Sequence, residues 1–104
     1  MGNAAGERIL VEIDPDLLPV VPDYLESRRR DCAEIERLLV YGGMEYIQTL
    51  GHRMKGSGGS LGFDEISEIG EVLELAAQVP DADGIKSAVG RLERYLARVS
   101  VTNT

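Results

Sequence analysis

The sequence is poor in the residues that build redox, metal and nucleotide chemistry. It contains one cysteine, one histidine, one phenylalanine and no tryptophan in 104 residues. A lone Cys32 can close no intrachain disulfide and has no second thiolate for a metal site or redox pair, so it reads as a small core residue. With a single histidine a zinc-type centre would need carboxylates, and none cluster on the apolar stripes traced below, which disfavours a metal-dependent hydrolase. Basic side chains are outnumbered 11 to 18, for a formal net charge of −7. Nucleic-acid backbones and anionic membranes select for clustered Lys and Arg, so neither is an expected partner. The sole basic run, Arg28, Arg29 and Arg30, points in different directions on a helix and reads as a solvated stretch. No apolar run approaches the roughly 20 residues of a membrane span, and no basic region followed by an apolar one opens the chain. A soluble cytoplasmic protein is expected. Met1–Gly6 begins like an N-myristoylation signal, but Gly6 stands where Ser or Thr is needed.

What the chain does have is Leu, Ile, Val and Ala at helical spacing, and a length that suits one domain with one modest core. Residues 1–8 are small and polar and read as disordered; Ile9, Leu10, Val11 and Ile13 form a short apolar run, expected to lie on the bundle as an extended strap. Asp14 and Pro15 open a short turn through Leu17, Leu18 and Val21, interrupted by Pro19 and Pro22. A first long helix is expected from near Pro22, with Leu25, Cys32, Ile35, Leu38 and Leu39 inward, ending at Gly42 and Gly43. A second runs from Met44 to about Gly62, with Ile47, Leu50, Met54 and Leu61 inward. Asp64 is expected to cap a third, with inner positions Ile66, Ile69, Leu73 and Ala76, stopping before Pro80. Asp81 or Asp83 opens a fourth, whose stripe is Ile85, Val89, Leu92, Leu96 and Val99. Four amphipathic helices with short connections imply an all-α fold, an antiparallel up-down four-helix bundle. The expected division is an N-terminal segment over 1–13, the helical domain over 14–100, and a tail over 101–104.

The one histidine precedes a segment, Gly56 to Gly62, that is glycine-dense for a helix. At about 100° per residue with Ile47 as zero, Leu50, Met54, Gly58 and Leu61 lie within roughly 60° of one direction, whereas His52 falls near 140°. His52 therefore faces solvent. On the same count Lys55 sits near 80°, Gln48 near 100°, Gly59 near 120° and Gly56 near 180°, all around the imidazole. Each helical Gly costs about 1 kcal/mol relative to Ala, and two of Gly56, Gly58 and Gly59 lie on the histidine face. Removing side chains there flattens the surface and lets another protein approach the ring, while Lys55 supplies a cation for a phosphoryl group. A neutral imidazole is a competent nucleophile near neutral pH.

His52, Lys55, Gly56 and Ser57, in the pattern H-x-x-K-G-S followed by small residues and Gly62, resemble the signature of the histidine-containing phosphotransfer family, and the helix order around them is similar over roughly residues 14–99. The sequence departs slightly, with Gly58 and Gly59 where such domains often carry Ser or Ala. The resemblance implies a phosphorelay intermediate whose histidine takes a phosphoryl group from a receiver-domain aspartyl phosphate and passes it to another response-regulator receiver. It implies His52 as acceptor, Lys55 as electrostatic support and Gly56 as clearance; helical position alone adds Gln48 and Gly59 as candidate partner-docking surface. Receiver domains and a hybrid sensor histidine kinase are the implied partners. The chain itself needs no cofactor, because Mg²⁺ belongs to the receiver. A monomer without autonomous kinase activity is expected.

Other readings fare less well. Gly51 to Ser57 has the glycine spacing of a phosphate-binding loop, but no Lys follows Gly56 and no strand precedes it. A helical adaptor that is never phosphorylated remains the alternative; nothing in the sequence favours it. Glu65, Glu68, Glu71 and Glu74 read as a solvated acidic face, and Gly70 as a point of close helix packing.

Overall fold

The computed structural model describes residues 7–103. A strand, β1 (Ile9–Ile13), leads into a short 3-10 helix (Pro15–Val20). Four helices follow: α1 (Val21–Tyr41), α2 (Met44–Leu61), α3 (Asp64–Gln78) and α4 (Ala82–Arg98). A second strand, β2 (Val99–Asn103), closes the order.

Local chemistry accounts for most boundaries. Asp14 accepts the backbone N–H of Asp16 at the start of the 3-10 helix, with Pro15 next in line, where a missing N–H costs nothing. Gly42 (φ 83°) and Gly62 (φ 99°) end α1 and α2 in the left-handed conformation, which L side chains with a Cβ rarely adopt. Asp81 caps α4 by accepting the N–H of Gly84 at 2.9 Å. The expected cap on α3 is corrected. Phe63 holds that position with no side-chain hydrogen bond, and Asp64 is the first helical residue, where its charge still favours the positive end of the helix.

The core fills the space between the helices. Ile35 from α1, Ile47 from α2, Ile66, Ile69 and Leu73 from α3, and Ile85 and Leu92 from α4 are fully enclosed. Cys32 is buried among them, as expected for a small apolar residue. Phe63, in the two-residue turn between α2 and α3, is also enclosed and stacks on Tyr24 of α1 with ring centroids 5.7 Å apart.

The chain ends depart from expectation. β1 does not simply lie on the bundle: it pairs in parallel with β2, Ile9 opposite Val99 and Ile13 opposite Asn103. Val99 therefore leaves the α4 stripe. It is the residue after the last helical turn, with extended backbone, and residues 101–103 of the expected tail are strand. Alternation explains the switch, since Ile9, Val11, Val99 and Val101 pack on the core and Ile13 is buried in it, while Leu10 and Glu12 face out. β-Branched residues at period two suit a half-buried strand. Residues 1–6 and 104 lie outside the described residues, so of the stretch 1–8 expected to be disordered only Glu7 and Arg8 are described. There Arg98 donates from Nε to the Glu7 carbonyl at 2.9 Å and its guanidinium pairs with the Glu7 carboxylate at 3.6 Å.

The run Arg28–Arg30 is less uniformly solvated than expected. Arg28 binds Asp31 at 2.8 Å and lies over the Tyr24 ring, 4.4 Å from its centroid. Arg29 reaches Glu26 and the Leu96 carbonyl, each at 3.5 Å, and Arg30 is exposed. No helix among the described residues is long and apolar enough to cross a membrane.

Candidate functional site

Packing between α2 and α3 sets the geometry of the site. A Cβ built on Gly51 would lie 2.7 Å from the Glu74 N and 2.8 Å from the Gly70 carbonyl oxygen. One on Gly58 would lie 2.7 Å from the Ser67 N, and one on Gly70 would run into the backbone N of Lys55. Helix backbones this close need glycine at the contact. Gly70 therefore has the packing role its position suggested. Gly51 and Gly58 share it, and Ser67 adds a hydrogen bond from its Oγ to the Lys55 carbonyl at 2.8 Å.

This close approach brings an α3 side chain to the histidine. His52 stands on the outer face of α2 with 71% of its side chain exposed, and its Nδ1 lies 3.0 Å from Oε2 of Glu74, whose own side chain is only 18% exposed. The other Glu74 oxygen, Oε1, faces Lys55 Nζ at 3.8 Å. One carboxylate thus spans the imidazole and the lysine. The carboxylate accepts, so the ring proton belongs on Nδ1, and the Nε2 lone pair is left free on the solvent side.

The glycines expected around the ring divide by role. Gly56 and Gly59 are exposed. A Cβ on Gly56 would meet nothing within 4 Å, and one on Gly59 would make only ordinary contact with Ser67 Oγ at 3.6 Å. Packing within the chain does not require glycine at either position. Lys55 joins His52 through Glu74. Gln48 is half-buried on the same side of α2, and among the described residues it makes no hydrogen bond with the ring.

Glu74 is the residue that sequence reasoning passed over, grouped with Glu65, Glu68 and Glu71 as one acidic face. A three-residue spacing turns each successive side chain about 60° backward around a helix, so four such positions wind halfway round it. Glu65 and Glu68 accordingly reach α4, where both bind Arg91, at 3.4 and 2.9 Å, while Glu74 faces α2. The α2–α3 register that decides this is tertiary.

The chain is thus a small helical domain that presents its one histidine, exposed, from the middle of α2, with the Glu74 carboxylate behind the ring. The Hpt domain family model matches residues 19–102, and the chain belongs to that family. It is a histidine-phosphotransfer module of phosphorelay and two-component signalling, a family of phosphotransfer intermediates rather than kinases that interact with receiver domains and histidine kinases. Searches of curated proteins and of solved structures returned no match.

Proposed function

We propose that His52 is the phosphoacceptor, and that this domain takes a phosphoryl group from one receiver and hands it to another. The observation that carries the reading is the 3.0 Å contact between Nδ1 and Glu74 on a ring that is otherwise open to solvent. A fixed Nδ1–H leaves Nε2 as the only nucleophilic nitrogen.

In the transfer, the Nε2 lone pair attacks phosphorus in line with the bond to the receiver aspartate. The N–P bond forms, the P–O bond breaks, and its electrons return to the receiver carboxylate. The imidazole keeps its Nδ1 proton and acquires positive charge, which Glu74 balances. Lys55, beside the same carboxylate, offsets charge on the phosphoryl oxygens. The second transfer reverses these steps toward a new aspartate. Positioning and charge compensation are this chain's whole contribution; the receiver brings Mg²⁺, and this chain supplies no cofactor.

Gly56 gives clearance for the receiver, with Gly59 and Gln48 as neighbouring surface. The working unit is the four helices together with the β1–β2 strand pair, a cytoplasmic monomer whose helices run up and down in an antiparallel bundle, an arrangement that the two- and three-residue connections between helices support.

The test is incubation with a phosphorylated receiver domain and Mg²⁺, followed by assay for acid-labile, base-stable label. Label on the wild type that is absent from His52→Gln is the expected result. No label from any of several receivers would favour an unphosphorylated adaptor.

A further inference from the structure

Beside the histidine face, α1 and α2 enclose an open groove of about 480 Å³. Its α1 wall carries Arg28, Arg30 and Asp31, and its α2 wall carries Tyr46 and Arg53, so three cations face one anion in a chain whose net charge is −7. Arg28 is taken by Asp31 at 2.8 Å. Arg30 and Arg53 are exposed, and neither forms an ion pair among the described residues. Tyr46 is also partly exposed, and below it Tyr24 is held by a 2.8 Å hydrogen bond to Ser57 Oγ. The groove therefore offers two unspent guanidinium groups and an aromatic face.

Its position relative to His52 gives it meaning. Arg53 is the next residue on α2, about 100° further round the helix, and Gly56 lies between the two directions, roughly 40° from His52 and 60° from Arg53. No side chain at Gly56 blocks the way, and a Cβ there would touch nothing. A protein seated over Gly56 to reach His52 thus extends onto the groove without obstruction.

We propose that the α1–α2 groove is a specificity surface. Arg30 and Arg53 engage an acidic segment flanking the phosphoaspartate of the partner receiver and so select among receivers by charge. This rests on the phosphotransfer reading and adds to it which receivers are accepted. Charge complementarity at an interface rim acts mainly on encounter and partner choice and is screened by salt. Arg30 and Arg53 are accordingly docking residues and take no part in the chemical step.

The test uses two phosphorylated receiver domains, one acidic and one basic around the phosphoaspartate, at low and at physiological salt. Wild type should be labelled at lower concentrations of the acidic receiver, with a preference that shrinks as salt rises. R30E/R53E should raise the half-saturating concentration of the acidic receiver by about tenfold or more at low salt, with the loss falling there rather than on the rate at saturation. R30Q/R53Q should show a smaller loss in the same direction and keeps the test open if the reversal unfolds. K86E/R94E, on exposed α4 positions, changes net charge by the same amount and should retain the wild-type preference. If the groove variants keep the wild-type preference, or if the α4 variant loses it equally, the proposal is overturned. A wild type that takes up no label from either receiver overturns the phosphotransfer reading and this one with it.

Discussion

Two glycine-to-alanine substitutions on facing helices should move stability in opposite directions. At Gly56 the added methyl meets nothing within 4 Å, so the main effect is helix propensity, a gain of about 1 kcal/mol. At Gly70 the same methyl is driven into the backbone N of Lys55 and lies 2.7 Å from the Gly51 carbonyl oxygen. Backbone atoms cannot rotate out of the way, so the overpacking cost belongs at the upper end of its usual range, about 3 kcal/mol. The propensity gain of about 1 kcal/mol leaves a net loss of about 2 kcal/mol. For a domain of this size, about 4–8 °C per kcal/mol puts Gly70→Ala roughly 8–16 °C below wild type and Gly56→Ala about 4–8 °C above it. Thermal melts followed by circular dichroism read both. Separating α3 from α2 should also carry Glu74 away from His52, so Gly70→Ala should show a mixture of imidazole tautomers by nitrogen NMR and transfer more slowly at a temperature where it is still folded. A Gly70→Ala protein as stable as wild type would refute the close-packing argument. A Gly56→Ala protein that melts lower would refute the claim that this position is open.

Glu74→Gln should slow phosphoryl transfer by about tenfold or more while shifting the melting temperature by only a few degrees, and the imidazole should become a mixture of tautomers by nitrogen NMR. An unchanged rate would remove Glu74 from the site. Lys55→Ala should slow transfer with little effect on the thermal melt, because its ammonium group is exposed; a large stability loss would contradict its placement on the open face. In alkaline solution two buried groups matter. Burial, with Glu93 close by, pushes the Cys32 thiol from its usual 9.0 to about 12, and burial, with Glu65 close by, pushes the Tyr95 phenol from 10.0 to about 12. Both stay protonated in the native state after the unfolded chain has begun to ionise, so their stabilisation is intact below about pH 9 and is lost as pH rises toward 12. Denaturant midpoints measured from pH 8 upward should fall, and Cys32→Ala should flatten the early part of that fall. An identical fall in that variant would exclude the thiol.

How much of this was visible beforehand depended on how local the cause was. Helix ends followed from single residues with strong preferences, such as Gly42, Gly62 and Asp81, and the exposure of His52 followed from helical phase alone. Ile9–Ile13 reads as extended from its own sequence, but β2 does not, although Val99-Ser100-Val101-Thr102 alternates at period two, because Val99 also fits the α4 stripe and one residue cannot choose between the two periods. Glu74 had no such signal. Its contact depends on three glycines that let two backbones approach, and of these only Gly70 had been given a packing reason. Phe63 in place of Asp64 at the head of α3 is a further tertiary override, since burying the only phenylalanine against Tyr24 outweighs a side-chain cap.

The pairing of Ile9–Ile13 with Val99–Asn103 gives the two extremities of the chain a shared fate. Closing so long a loop in an unfolded chain is entropically costly, but once the helices have packed, the ends are already neighbours and the remaining cost is small. The strand pair should therefore form last and open first. Among the described residues neither strand has another ladder partner, so when one frays the other loses its hydrogen bonds in the same event. Amide exchange should show β1 and β2 opening at one common rate, faster than the helices. Shortening either end should release both.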